Sequence, residues 1–399
     1  MKQFIAVMVT ALNGSEMVSK QSKVLHEVCG KTMAEWVCDA ALEAGAARVI
    51  PMVDALDEQT HSFLKERFSC VVQTGSFSDA LADALGEFDG TVVVLSGDHP
   101  LLTAQTIGKV VSLHGEQAHQ VTVCEEIGLY CFETADLQGS SADTLEKLVG
   151  CMRAAGKKVE ECSAGMADEK IKVNNRADLA MAGMFMRRRI NAALMGAGVT
   201  LVDPTTTYID AGVEIASDTV IEPNVYLRGN TVIGTDCVIG NGTTIEDSVV
   251  GDGVHIKSSV ILSSDIGEGT TVGPFAYIRP GSHIGAKVKI GDFVEVKNST
   301  IGEGTKVSHL TYIGDSDVGR HINFGCGTIT VNYDGKNKFR TVIEDNAFIG
   351  CNTNLVAPVT VHENAFIAAG STITDDIEAD ALAIARSRQT VKPNWRKNK

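Results

Sequence analysis

Three groups of residues in this chain of 399 have types and spacing that suit chemistry. The stretch Thr328–Thr341 reads TITVNYDGKNKFRT and carries Asn332, Tyr333, Lys336 and Lys338. Polar, aromatic and cationic groups that close together in one segment suit a functional loop, whereas a passive insertion is more often only Ser and Gly. The segment 386–399 holds Arg386, Arg388, Lys392, Arg396, Lys397 and Lys399 and no acid. In a chain of net charge −15 that cluster reads as a local anion site, with a solvated tail as the competing reading. The third group is ten cysteines, Cys29, Cys38, Cys70, Cys124, Cys131, Cys151, Cys162, Cys237, Cys326 and Cys351. None sits at C-x-x-C spacing and they are too sparse for a disulfide scaffold, so most are expected to be buried cytosolic thiols.

The elements that must position these groups change character near residue 205. Before it, apolar runs at Phe4–Val9, Val49–Val53, Thr91–Leu95 and Val121–Cys124 alternate with helical patterns at Met33–Glu43, Asp79–Leu85 and Leu145–Ala154. That alternation predicts a parallel sheet covered by helices. The segment 175–195, rich in Ala, Met, Leu and Arg, predicts one long linking helix. After residue 205 aliphatics recur every sixth position, from Ile209, Ile215 and Ile221 through Leu227, Ile233, Ile239 and Ile245. The beat resumes over Ile266–Val296 and again over Ile343–Ile373, with Gly, Asn, Asp and Ser between. This is the hexapeptide pattern of a parallel β-helix, in which each aliphatic points inward and stacks on the next coil. Thr328–Thr341 breaks the beat and is expected to leave the coil as a loop.

Composition closes off other classes. Hydrophobic residues make up 44% and charged residues 21%, too apolar a balance for disorder. No apolar run approaches the length of a membrane span, and the opening segment MKQFIAVM reads as a first strand rather than a leader. A nucleic-acid binder would carry a basic field, which the net charge of −15 denies. A cytoplasmic protein acting on small molecules remains.

The ordered segments Arg279-Pro280-Gly281, Gly291–Lys297, His309–Asp315 and Asn332–Phe339 resemble the bifunctional N-acetylglucosamine-1-phosphate uridyltransferase / glucosamine-1-phosphate N-acetyltransferase family. The resemblance runs almost unbroken from residue 205 to the end. It implies a doubly wound, nucleotide-diphospho-sugar-transferase-like α/β domain over 1–174, a linker helix over 175–204, a left-handed parallel β-helix over 205–385 and a basic tail over 386–399. It also implies a homotrimer with active sites between subunits, and acetyl-CoA as co-substrate. An attacking amine must shed a proton, and a side chain titrating near neutrality serves best as its base. By resemblance that base is His309, with Glu295 orienting it. Tyr312 and Asn332 help form the polar environment that a developing thioester oxyanion requires. Arg279, Lys297 and Lys338 match phosphate- and sugar-contacting positions, and Tyr333 and Asn323 match sugar-contacting ones. Asn332, Cys351, Ala369, Arg386 and Lys392 match contacts to acetyl-CoA. Cys351 departs from the family's usual serine, and a thiol is a weaker donor; slower acetyl transfer is the expected consequence.

The first half departs further. The family's phosphate loop, Leu-Ala-Ala-Gly-x-Gly-Thr-Arg-Met, appears here as Val9–Met17, with Leu12 for the first glycine and Glu16 for the arginine. A side chain at Leu12 hinders close backbone approach to phosphate, and Glu16 repels it. Gly14, Lys23 and Gln73 survive as nucleotide positions. Asp98 and Asn174 match the Mg²⁺ pair, although turn and cap roles explain them equally well. The segment that holds the sugar is missing between Val121–Cys124 and Glu126. The expectation is therefore an acetyltransferase with an inactive uridyltransferase-like domain. A fully bifunctional enzyme using UTP, or a non-catalytic trimeric scaffold, are the alternatives.

Overall fold

The computed structural model describes residues 3–10, 15–117, 119–137 and 141–398. Two compact units, Met1–Arg187 and Arg188–Lys399, divide inside the long helix, which spans Arg176–Gly196.

In the first unit seven strands form one sheet. From one edge the order is Val71–Gln73, Val49–Asp54, Phe4–Val9, Thr91–Ser96, Leu129–Glu133, Val121–Cys124 and Val159–Glu161. The first four run parallel. Leu129–Glu133 is antiparallel to both of its neighbours, so the sheet is mixed and not the purely parallel one the alternation predicts. Side chains on a strand alternate between faces, and here each face has its own core. Phe4, Ala6 and Met8 pack with Val37, Ala41 and Ile107; Ile5, Val7 and Val9 pack with Phe77, Leu81 and Leu148. The covering helices begin at hydroxyl caps, Thr32, Ser76, Thr103 and Thr144, each accepting from a backbone N–H of the first turn.

The second unit is a left-handed parallel β-helix whose coils pass through three sheets of eleven, ten and nine strands. All ladders are parallel, and equivalent positions pair coil to coil: Ile221 with Ile239, Leu227 with Ile245, Ile215 with Ile233. The inward aliphatics form a single core column, buried except for the partly exposed Ile215, and each fully buried one contributes roughly 1.5–3 kcal/mol. Threonines two residues before the aliphatic bond back to the backbone; Thr219 Oγ1 donates to the Gly234 carbonyl at 2.8 Å. Corners fall on Asp218, Asn224 and Asp236, all at positive φ, where short polar side chains tolerate the left-handed backbone. The beat slips after Ile245 because coils shorten: Ile239 pairs with Ile256, and Ile256 with Val272.

The loop is narrower than expected. Ile329–Val331 and Thr341–Ile343 remain coil strands, so only residues 332–340 leave the stack. Tyr333 bridges Lys338 across it, Phe339 N donates to the Asn332 carbonyl at 2.9 Å, and Asp334 Oδ1 accepts the N–H groups of Lys336 and Asn337 at 2.7 and 2.6 Å.

Candidate functional site

The corner between the eleven- and ten-stranded sheets holds His309 and, in later coils, Cys351 and Ala369. Strand Lys306–His309 leaves the eleven-stranded sheet, the chain turns at Leu310 (φ 45°), and Tyr312–Gly314 enters the ten-stranded one. His309 therefore stands at the edge with about half of its side chain exposed. One coil earlier Asp292 pairs with it in register, and an Asp292 carboxylate oxygen contacts His309 Nδ1. That contact holds the Asp292 carboxyl below its usual range. An ionised carboxylate only accepts, so Nδ1 donates to it, and in the neutral imidazole Nε2 is the nitrogen left with a lone pair.

The structure thus corrects the partner of the histidine. Glu295, expected to orient His309, instead accepts from Arg279 Nη1 at 2.8 Å, an ion pair that also raises the arginine's pKa. Coil register decides this: Asp292 faces His309 and Glu295 faces Tyr312.

A second cluster lies on the ten-stranded sheet. Lys297 Nζ donates to both Asp315 oxygens at 3.2 and 2.9 Å, Asn298 Nδ2 donates to Oδ1 at 2.6 Å, and Asn332 Nδ2 donates to Oδ2. Asn332 Nδ2 also reaches the Tyr312 hydroxyl at 3.4 Å. Burial pushes the Asp315 carboxyl up, but the bonds from Asn298, Lys297 and Asn332 outweigh it and hold it below the usual range. The Asp315 pair raises the Lys297 amine in turn. The Tyr312 ring crosses Gly314, where a Cβ would come within 2.2 Å of the phenol oxygen; glycine is needed for that close approach. Asp292 and Asp315 were not identified from the sequence. Their signal is the coil length, since Asp292 precedes His309, and Lys297 precedes Asp315, by one coil.

Farther along the His309 corner lie residues expected to contact acetyl-CoA. Asn352 N donates to the Cys326 carbonyl and Gly370 N to the Cys351 carbonyl, both at 2.7 Å. Cys351 and Ala369 thus stack in successive coils, and Arg386 Cδ lies against Gly370. Lys392 sits over the Trp395 ring at 5.5 Å, and Arg388 is exposed. Asn323 pairs with Lys306 on the eleven-stranded sheet. Tyr333 is exposed, and its hydroxyl donates to the Gly335 carbonyl at 2.7 Å. Only Cys38, Cys124, Cys131 and Cys237 are buried, so burial does not account for most of the cysteines.

In the first unit Gly14, like Leu12, lies outside the described residues. Gln73 ends an edge strand beside Asp54. Lys23 is buried, with Nζ 2.8 Å from Asp98 Oδ2 and 3.4 Å from Asn174 Oδ1. His99 Nδ1 takes the other Asp98 oxygen at 3.1 Å. Burial raises the Asp98 carboxyl, yet the bonds and charges of His99 and Lys23 bring it below its usual value. A divalent ion needs several free oxygens, whereas both Asp98 oxygens already face cationic or donor groups of the chain. Among the described residues no group of three His, Cys, Asp or Glu is placed to hold a metal. Asp98 and Asn174 are thus brought together around the Lys23 amine. Among the described residues, too, no helix is long and apolar enough to cross a membrane.

Comparison with known proteins adds the following. A family profile described as MobA-like NTP transferase domain matches residues 10–159. One described as bacterial transferase hexapeptide (six repeats) matches 212–247, 263–298 and 340–375; the stretch between the last two contains His309 and residues 332–339 of the loop. A protein of Shouchella clausii named bifunctional protein GlmU is 41% identical over 444 aligned positions, covering 98% of each chain. Proteins of the same name from Halalkalibacterium halodurans and Acetivibrio thermocellus are also 41% identical, covering 99% of this chain and 99% and 97% of theirs. These alignments run to 444, 449 and 453 positions against 399 residues, so the relatives carry several tens of residues that this chain lacks.

Proposed function

Because this chain belongs to the bifunctional GlmU family of transferases, we propose that its β-helix transfers an acetyl group from acetyl-CoA to the amine of glucosamine 1-phosphate. The observation that carries this reading is the His309–Asp292 contact at an open corner, with Lys297, Asn332 and Tyr312 grouped with Asp315 toward the other end of the ten-stranded sheet's strands. With Nδ1 bound to Asp292, Nε2 accepts a proton from the attacking amine as the C–N bond forms, and the thiol of CoA departs. The Asn332 amide and the Tyr312 hydroxyl supply donors for the carbonyl oxygen as charge develops on it. Arg279, Lys297 and Lys338 supply positive charge for the sugar phosphate. Four coils separate His309 from Arg386, roughly 19 Å at strand spacing. That length suits an extended pantetheine arm running along the corner past Cys351 and Ala369 to cationic groups at the tail. His309 is half exposed on one chain, which accords with a homotrimer in which a neighbour completes the cleft.

The first unit keeps the nucleotidyltransferase-like architecture but in this proposal turns over no UTP. Glu16 is an anion where the triphosphate needs a cation, and Lys23 is tied to Asp98. The NTP transferase match over 10–159 favours a second reading, a fully bifunctional enzyme making UDP-N-acetylglucosamine. One experiment separates the two. The purified protein is given acetyl-CoA with glucosamine 1-phosphate, and separately UTP, Mg²⁺ and N-acetylglucosamine 1-phosphate. N-acetylated sugar without pyrophosphate is expected. Pyrophosphate release would establish the second reading, and absence of N-acetylated sugar would remove the first.

A further inference from the structure

Two thiols occupy the same corner, and nothing in the acetyl-transfer chemistry requires both. Cys326 and Cys351 follow paired strands whose register is fixed on either side, Phe324 with Ile349 and Ile329 with Asn354. Counting from either pair places Cys326 opposite Cys351, although the 332–340 loop separates them in sequence. The bond from Asn352 N to the Cys326 carbonyl, at 2.7 Å, closes the same rung. Gly325 brings the coils into tight contact: a Cβ there would lie 2.4 Å from the Cys351 nitrogen. Neighbouring coils stand about 4.8 Å apart, inside the Cα separation of about 4.4–6.8 Å that a disulfide spans. Cys351 is exposed and Cys326 half-buried, so one thiol meets solvent and the other waits behind it.

We propose that Cys326 and Cys351 form an oxidisable dithiol at the acyl-transfer corner, closed by low-molecular-weight disulfides and reopened by thiols. The exposed Cys351 thiolate attacks one sulfur of the small disulfide, forming a mixed disulfide and releasing the first small thiol. The Cys326 thiolate then attacks the Cys351 sulfur, closes the protein disulfide and releases the second small thiol. The two protein thiol protons end on the two released thiols, and the small disulfide is the species reduced. The pairing itself rests on coil register alone. Its effect on catalysis rests on the function proposed above, because the closed bond would lie where the acetyl group passes Cys351.

The test uses the full-length protein and hydroxyethyl disulfide, a probe without a nucleotide, so that CoA binding is not required. Non-reducing peptide mass spectrometry is expected to find a Cys326–Cys351 crosslink and no retained adduct, whereas Cys326→Ser should retain the mercaptoethanol adduct on Cys351. A wild-type protein that keeps the adduct on Cys351, or crosslinks neither residue, would overturn the dithiol. If Cys326→Ser fails to fold, differential alkylation of the wild-type protein before and after reduction reads the same pair. Acetyl transfer is measured in parallel; at least a tenfold loss on oxidation, restored by dithiothreitol, is expected. A crosslink that leaves acetyl transfer unchanged would overturn the regulatory role. A crosslink in a protein that transfers no acetyl group even when reduced would instead count against the proposed function.

Discussion

At the scale of single residues, Asp315 joins Lys297 and Asn332, two of the side chains singled out from the sequence. It is nearly fully buried and receives Lys297, Asn298 and Asn332. A carboxyl held below its ordinary 3.8 by folding adds stability that is present above the unfolded value and lost as pH falls through the folded one. The β-helix should therefore lose this contribution only below about pH 4. Asp315→Ala leaves the Lys297 amine without its carboxylate, and a loss of about 1.5–3 kcal/mol is expected, with a flatter acid limb; denaturant unfolding from pH 3 to 7 measures both. His309, Lys297 and Asn332 were legible in the sequence because they sit in long ordered segments. Their acidic partners were not, because partnership here depends on coil length. That length is one residue shorter between Asp292 and His309 than between Lys297 and Asp315, and no local pattern states which. The same arithmetic gave Glu295 to Arg279 rather than to the histidine.

At the scale of elements, the six-residue beat revealed the β-helix because an inward aliphatic is compulsory in nearly every strand. Ile301 is fully buried in the column one turn ahead of His309. Ile301→Ala should cost roughly 2–5 kcal/mol, read as a lower denaturation midpoint with an unchanged slope. The loop tests the opposite property. Residues 332–340 close on themselves through Asp334 and Phe339, so replacing 333–339 with a short Gly-Ser linker should leave the circular-dichroism melt within a few degrees while acetyl transfer falls at least a hundredfold. A large drop in melting temperature would show the loop to be part of the scaffold. The loop's bounds were over-read by several residues because Thr330 takes an inward position with a polar side chain. Its Oγ1 accepts from Gly314 N at 2.8 Å, which a count of aliphatics passes over. In the first unit four strands with apolar runs were legible, whereas the buried strand Leu129–Glu133 was not read as one. The edge strands Val71–Gln73 and Val159–Glu161 were not, since each is short and partly exposed. The antiparallel course of Leu129–Glu133 follows from a tight reversal at Gly128 (φ 62°) rather than from any pattern within the strand.

At the scale of the whole molecule, an acidic chain that takes anionic substrates, as proposed, needs cations close to where they bind. Arg279 and Lys297 stand at the ends of neighbouring strands of the ten-stranded sheet, beside one β-helix corner, while the other cations are spread over both units and the tail, in a chain of net charge −15. If neighbouring chains complete that corner, sedimentation should give three times 42.3 kDa; a fully active monomer would show that one chain suffices. The most direct measurement of the account is CoA release from acetyl-CoA in the presence of glucosamine 1-phosphate, for the wild-type protein and His309→Ala. Release that depends on the amino sugar and falls roughly a hundred- to ten-thousand-fold in the variant is predicted. Equal release by the two proteins, or none from the wild type, would contradict it.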